Sequence, residues 1–425
     1  MFAATFLPLI LGVCDLSGAL AGPEGWDRPA EAFVSAYQAD GFRFADQKRE
    51  IVNCLRRGGS VWHGLEVWET RLYYAEGRLS RVELSLYNRG DDRSGDAVTA
   101  SELQDLLARA AAAAEPGGKI GGNPEMTKLK SGGYQYSKSF SKGPYDVRLL
   151  WGVDSLKQKT QTADYVRAVL TPKGAGGSSG VRAAAGVSRL KVRANVRRNA
   201  EGDVWIEGVP MVDQGQKGYC ACAVTERVLR YYGSDVDEHQ IAQMAGSSAQ
   251  RGTGVEEMIQ AVRTLGQKCK LGFRSIVSMS GSVKDIEKEV EKYNKAAKSM
   301  KAPQIDMRSC MRGHTIMVNQ IRDQMRPDVV MKMRVKDARY GKFLSGVRSQ
   351  VDEGVPVFWG VTLGLFPERG LPQTRGGHMR LIIGYNAKTH EILYSDTWGA
   401  GHELKRMPED QAFAITHDAF LLKPR

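Results

Sequence analysis

Residues 211–233 read MVDQGQKGYCACAVTERVLRYYG, and the rest of the chain is organised around them. Ala221, Val224, Val228 and Tyr231 recur at i, i+3, i+7 and i+10, which predicts a helix opening at Cys220 with one apolar face. Gly233 supplies a C-terminal stop. A cysteine at a helix N-terminus faces unpaired N–H groups and the positive end of the dipole, and both favour its thiolate. Gln214, six residues upstream, can fold its side-chain amide back over the sulfur, because Gly215 lets the turn bend. That amide and the Cys220 N–H would together receive a developing oxyanion. Gln216, only four residues away, is expected to point outward. Cys222 falls about 200° round the helix from Cys220 and is expected in the core.

A reactive cysteine needs a base, and the base needs an orienting group. His378 follows Gly376 and Gly377 and opens the apolar run HMRLIIGY, a strand mouth that can face a cleft. Asp396 ends the next predicted strand, eighteen residues later. A hairpin of the two strands would set the carboxylate beside the imidazole, fixing its tautomer and stabilising its cation. Each residue alone has a plain alternative: a small buried cysteine, a structural histidine, an ordinary strand-to-turn ending. His402, just past Trp398, reads as a rim contact or a structural residue. His63 reads as structural, and His239, His390 and His417 as exposed helix or turn residues. Cys310 with His314 lacks an oxyanion donor and an orienter.

These stretches resemble the papain-like (clan CA) cysteine peptidases, and within them the C39-like branch. The likeness rests on DQGQKGYCACAV, RYYGSDVDEHQIAQMAG, GGHMRLIIGYN and YSDTWG, and spans roughly residues 203–425. Ala221 stands where papain has a tryptophan, Lys217 where papain has a disulfide cysteine, and Asp396 where papain has an asparagine; these departures point to the C39-like branch. The resemblance implies hydrolysis of peptide bonds in a protein or peptide substrate. Cys220 would be the nucleophile, His378 the base, Asp396 its orienter, Gln214 the oxyanion donor and Trp398 a cover over the His–Asp bond. It implies no cofactor and no metal. Two other readings use the same residues: a catalytically silent binding protein, and acyl transfer of the transglutaminase kind.

The remaining sequence bounds this reading. The 425 residues suffice for two domains with sizeable cores. The net charge of +12 is scattered, densest in RLKVRANVRR at 189–198, with neither a basic stripe nor stacking aromatics, so no nucleic-acid partner is expected. The glycine-rich stretch at 174–180 lacks a phosphate-loop lysine, which excludes a nucleotide site of that kind. An apolar run from Phe2 to Val13, followed by Ala19-Leu20-Ala21, predicts a signal peptide over 1–21 and an exported protein. No stretch is long enough for a stable membrane span. Six cysteines are present, none with metal-site spacing to histidines. Export would make Cys269–Cys310 the disulfide to expect, with two buried free thiols the equal alternative.

The fold class is α+β. Residues 27–172 read as a strand-rich N-terminal α+β domain, with a meander over Val61–Tyr87, a helix over Ala97–Ala114, and strands within Tyr134–Trp151 and Asp164–Leu170. Residues 173–200, Gly/Ser/Ala-rich and then basic, read as a flexible linker. Residues 201–425 read as the papain-like domain, a helical part followed by an antiparallel sheet. Its helices are expected at 220–232, Asp237–Ala245, Gly254–Leu265 with a Thr253–Glu256 capping box and a stop at Gly266, Ser282–Lys298 and Tyr340–Glu353. Its strands are expected at Asp203–Glu207, Val355–Val361, Met379–Tyr385, Glu391–Ser395 and Ala419–Leu422.

Overall fold

The computed structural model describes residues 13–90, 98–129, 133–154, 161–174, 188–215, 218–234, 236, 238–245, 255–279, 283–313, 315–371 and 375–425. Two mixed α/β bodies, each with an eight-stranded or branched antiparallel sheet, account for nearly all of them.

In the first body the strand order is Arg43–Phe44, Ile51–Cys54, Glu69–Ala75, Arg78–Asn88, Ala163–Thr171, Asp146–Val153, Tyr134–Phe140 and Glu125–Lys128. Glu76 and Gly77, both at positive φ, close the turn between the two longest meander strands. The helix Ala100–Ala114 starts at Thr99, whose hydroxyl and the Glu102 carboxylate form a reciprocal capping box. It presses Leu103, Leu107, Ala110, Ala111 and Ala114 onto the sheet. Cys14–Asp15 pair in parallel with Ser60–Val61, and Leu16 and Leu20 are fully buried in this core. The segment predicted as a signal therefore contributes apolar side chains to the first body from Cys14 onward.

In the second body the order is Val196–Arg198, Asp203–Ile206, Gly376–Asn386, Val357–Leu363, Thr416–Pro424 and Leu271–Ser278. Glu391–Ser395 branches off Gly376–Asn386 and pairs in turn with Lys405–Pro408. The helix Cys220–Tyr231 covers one face, burying Val224, Val228 and Leu229 against Phe358, Leu381 and Phe420. The other face carries the helices Val283–Ser299, Val318–Gln324, Pro327–Arg334 and Arg339–Asp352.

Three expectations are corrected, and of the two alternatives for Cys269 and Cys310 the free thiols are found. The basic run at 189–198 is not linker: it forms the helix Arg189–Arg193 and the strand Val196–Arg198 of the second sheet. Val192 turns into the core while the arginines stay at the surface, so a run that reads as solvated is amphipathic. Gly266 does not end its helix, which runs Val255–Lys268; a Cβ there would stand 2.7 Å from Leu422, so the glycine allows close packing of helix on strand. Thr253 lies outside the described residues, and the capping box with it. Helices do not all precede the sheet, because Leu271–Ser278 is inserted among them and pairs with the last strand. Cys269 and Cys310 are free thiols buried in different cores, Cys269 against Ser234 Oγ at 3.4 Å and Cys310 accepting from Gln324 Nε2 at 3.1 Å.

Candidate active site

Cys220 is the first residue of the helix Cys220–Tyr231, and Tyr219 before it makes no side-chain cap. No capping side chain competes for the first-turn N–H groups, which stay available to negative charge on the sulfur. Cys220 is partly exposed and hydrogen-bonds the His378 side chain and the Met379 backbone. His378 sits near the start of the strand Gly376–Asn386. Its Nε2 meets Asp396 Oδ1 at 2.6 Å, which leaves Nδ1 for the sulfur. Asp396 follows the strand Glu391–Ser395, and the pairing of Leu381 with Ser395 brings it level with the histidine.

The electrostatics follow from burial and charge. Burial pushes the Cys220 thiol up, but the adjacent His378 charge, its hydrogen bond and the Met379 N–H outweigh that and lower the pKa overall. Burial pushes His378 down, yet the Asp396 carboxylate and the Cys220 sulfur hold it at about 9. Burial raises Asp396, while His378, Arg380 and the Thr397 N–H bring it to about 2. At neutral pH His378 is held as the imidazolium and Asp396 as the carboxylate, and the imidazolium favours the thiolate form of Cys220.

Around this chain the sequence reading missed three supports. Arg380 Nε lies 2.8 Å from Asp396 Oδ2, an ion pair whose N–H does not aim along the bond. Its other nitrogens grip Glu368 at 2.9 and 3.1 Å. Arg380 shares a strand face with His378, two residues on, and that parity was the signal for it. Arg227, seven residues into the helix Cys220–Tyr231, donates to the Asp396 carbonyl at 2.6 Å, to Ser395 Oγ at 2.6 Å and to the Pro210 carbonyl at 2.7 Å. A charged residue amid VTERVL was visible in the sequence; its partners were not. Thr397 donates its hydroxyl to Gln214 Oε1 at 2.5 Å and accepts the Gln214 N–H on its carbonyl at 2.9 Å. With Oε1 engaged, the Gln214 amide is held by its oxygen end and presents its NH₂ end elsewhere.

Trp398 stacks on His378, ring centres 4.5 Å apart and planes within 2°. It screens the His–Asp bond from water. His402 lies edge-on to Trp398 at 5.8 Å, and its carbonyl accepts the Asp396 N–H at 2.8 Å, a turn-building role. Cys222 is fully buried. His239 and His417 are not exposed helix or turn residues: His239 is buried against Tyr219, and His417 stands half-buried in the strand Thr416–Pro424. Gln216 and His314 lie outside the described residues.

The first body reaches this site. Asp213, next to Gln214, accepts from Arg43 and Asn53 at 3.4 Å each, and its carbonyl accepts from Arg71 at 3.4 Å. Among the described residues, Glu69, Glu238 and His239 form the one cluster of metal-ligand types. Arg71 bonds both of its carboxylates, at 2.5 and 2.7 Å, so a guanidinium already occupies the cation's place. No described helix is long and apolar enough to cross a membrane.

The model of the Peptidase_C39 like family matches residues 206–420, which contain Gln214, Cys220, His378 and Asp396. The chain belongs to that family, and its class is that of a cysteine peptidase. Two solved structures are also similar at low identity. The peptidase domain of Streptococcus ComA, a bi-functional ABC transporter involved in quorum sensing, is 12% identical; the match covers 51% of this chain and 100% of that one, with a TM-score of 0.26. Xylellain, a cysteine protease from Xylella fastidiosa, is 13% identical over 55% of this chain and 88% of that one, with a TM-score of 0.25. No curated protein matches the chain.

Proposed function

We propose that the chain is an exported cysteine peptidase that hydrolyses peptide bonds through Cys220, His378 and Asp396, with Gln214 as oxyanion donor. The observation that carries this reading is the continuous contact from the Cys220 sulfur through His378 to Asp396 under the Trp398 ring. The Cys220 thiolate attacks the scissile carbonyl carbon; a C–S bond forms and the carbonyl electron pair moves to oxygen. The Cys220 N–H and the Gln214 amide hold that oxyanion. His378 gives its proton to the departing amine as the C–N bond breaks, leaving a thioester. A water then attacks; His378 takes its proton, the C–S bond breaks with its electron pair on sulfur, and the acid product leaves the thiolate and imidazolium restored. Asp396, fixed by Arg380 and the Thr397 N–H, keeps the imidazole in the tautomer this cycle needs.

Turnover of an unstructured peptide, with the labelled cysteine mapped after reaction with a thiol-directed inhibitor, tests the reading. Label on Cys220 and loss of turnover in Cys220→Ala are expected; label on Cys54 or Cys269 in folded protein would remove Cys220 from the mechanism. Residues 27–172 and 201–425 are proposed as two domains, joined through the Gly/Ser-rich stretch before residue 188. Export rests on the apolar run and the Ala19-Leu20-Ala21 site. Cleavage after Ala21 would take Leu16 and Leu20 out of the first core, so the mature protein should begin at Gly22 and fill their place by local repacking. An intact Met1 in secreted protein would exclude cleavage by a signal peptidase.

A further inference from the structure

A cavity of about 860 Å³ opens in the second body beside the catalytic strand, the size of a small-ligand site. Phe273, Met325 and Phe420 give it an apolar lining. Its nearest approach to the chemistry is set by strand pairing. Thr362 lines the cavity and is the partner of Gly377, the residue before His378. Arg322, also in the wall, has Nη1 3.5 Å from the point where a Gly377 side chain would begin. The cavity edge is thus about one residue step from the base.

Its charges do not balance. Glu289 is taken by Arg334 at 2.5 Å, and Asp418 by Ser278 Oγ at 2.7 Å. Arg263 lies over the Phe273 ring at 4.5 Å and makes no ion pair among the described residues. Arg322 has one side-chain contact among them, to His417 Nδ1 at 3.4 Å, and no ion pair. His417 in turn is bonded through Nε2 to Thr362 Oγ1 at 2.5 Å. Burial, with too little carboxylate nearby to offset it, lowers the Arg322 pKa, the mark of a guanidinium short of a counter-charge.

We infer that this cavity is a specificity pocket that receives an acidic side chain of the peptide substrate, its carboxylate paired with Arg322. The inference rests on the peptidase reading for the identity of the ligand as a peptide. A carboxylate entering there would complete the Arg322 fork, while its methylene stem and a neighbouring apolar residue would cover Phe273 and Met325.

The test is equilibrium binding to the full chain carrying Cys220→Ala, which needs no turnover. The probes are blocked, fluorescein-labelled heptapeptides in which one position at a time is Glu or Gln, read by anisotropy. At one position Glu should bind about tenfold or more tighter than Gln, the scale of a hydrogen bond to a charged group. That ratio should fall toward one in Arg322→Gln and survive in part in Arg322→Lys. Equal binding of Glu and Gln peptides at every position, binding by none of them, or a ratio untouched by Arg322→Gln would each overturn the pocket. Absence of peptide turnover by the unmodified protein would sink the peptidase reading alone, because the Glu-to-Gln ratio is measured without catalysis.

Discussion

Cys220 and His378 titrate as a pair, and their opposed shifts set the pH range of activity. The imidazolium forms below about 9 and the thiolate above the lowered Cys220 pKa. kcat/KM should therefore be bell-shaped, with its alkaline limb near pH 9 and its acid limb below the ordinary thiol range. A single limb at the ordinary histidine value, near 6.5, would refute the ion pair. In stability the raised His378 contributes fully below 6.5 and loses its contribution as pH rises through about 9. Asp396 contributes above 3.8 and loses its contribution as pH falls through about 2. Gln214→Ala should lower kcat by about 10²–10³ with little change in KM, since the bond strengthens only as the oxyanion forms. Thr397→Val frees the amide to rotate and should lower kcat about tenfold, with recovery in Thr397→Ser. A Thr397→Val effect confined to KM would deny it that positioning role. Cys220, His378 and Asp396 were legible because each stands at an element boundary that sequence marks. Thr397, Arg227 and Arg380 were not, because their value lies in partners that are distant in sequence.

At the scale of elements, the histidine strand carries the most constraint. It pairs with Val357–Leu363 over its first half, and with Asp203–Ile206 and Glu391–Ser395 over its second. The register with Glu391–Ser395 shifts between Ile382 and Gly384, where the neighbours crowd in. A Cβ on Gly384 would stand 2.5 Å from the Val204 carbonyl oxygen and about 3 Å from the Cβ atoms of Trp205 and Leu393. Backbone cannot yield as a side chain can, so Gly384→Ala should destabilise by about 1–3 kcal/mol. That is a fall of several degrees in the melting temperature of the second body, and unchanged melting would show that the strands part freely. Long periodic helices and aromatic strands were legible from the sequence, as over Ala100–Ala114 and Arg78–Asn88. Leu271–Ser278 was not, because its register is set by Thr416–Pro424, about 145 residues away along the chain. Nor was the helix Arg189–Arg193, where one inward valine, Val192, is outnumbered by cations.

The whole molecule is held by charge at its middle. Arg71 of the first sheet bonds Glu69, meets Glu226 of the helix Cys220–Tyr231 at 3.7 Å and bonds Glu238 at 2.7 Å. Arg230, one turn along from Glu226, bonds it at 2.7 Å and reaches back to Glu83 of the first sheet at 3.2 Å. Arg81 and Arg167 complete Glu83 at 2.5 and 2.9 Å. Four guanidiniums thus face four carboxylates in a largely buried layer. Burial lowers the Arg71 pKa, but Glu238, Glu69 and Glu226 outweigh it and hold the group charged. Leu55 packs at Gly215, and Asn53 and Arg43 hold Asp213, so the same contact steadies the loop that carries Gln214. Buried ion pairs thus tie the first body to the helix Cys220–Tyr231. Limited trypsin treatment that cuts between residues 173 and 189 should therefore leave two fragments that co-elute on gel filtration and keep peptide turnover. Arg71→Met should strip about 3–5 kcal/mol from the contact, because three buried carboxylates lose their shared cation. The nicked fragments of that variant should separate and their turnover fall. Separation of the unmodified fragments with rising activity would instead make residues 27–172 an inhibitory cover, and the ion-pair layer a latch that is meant to open.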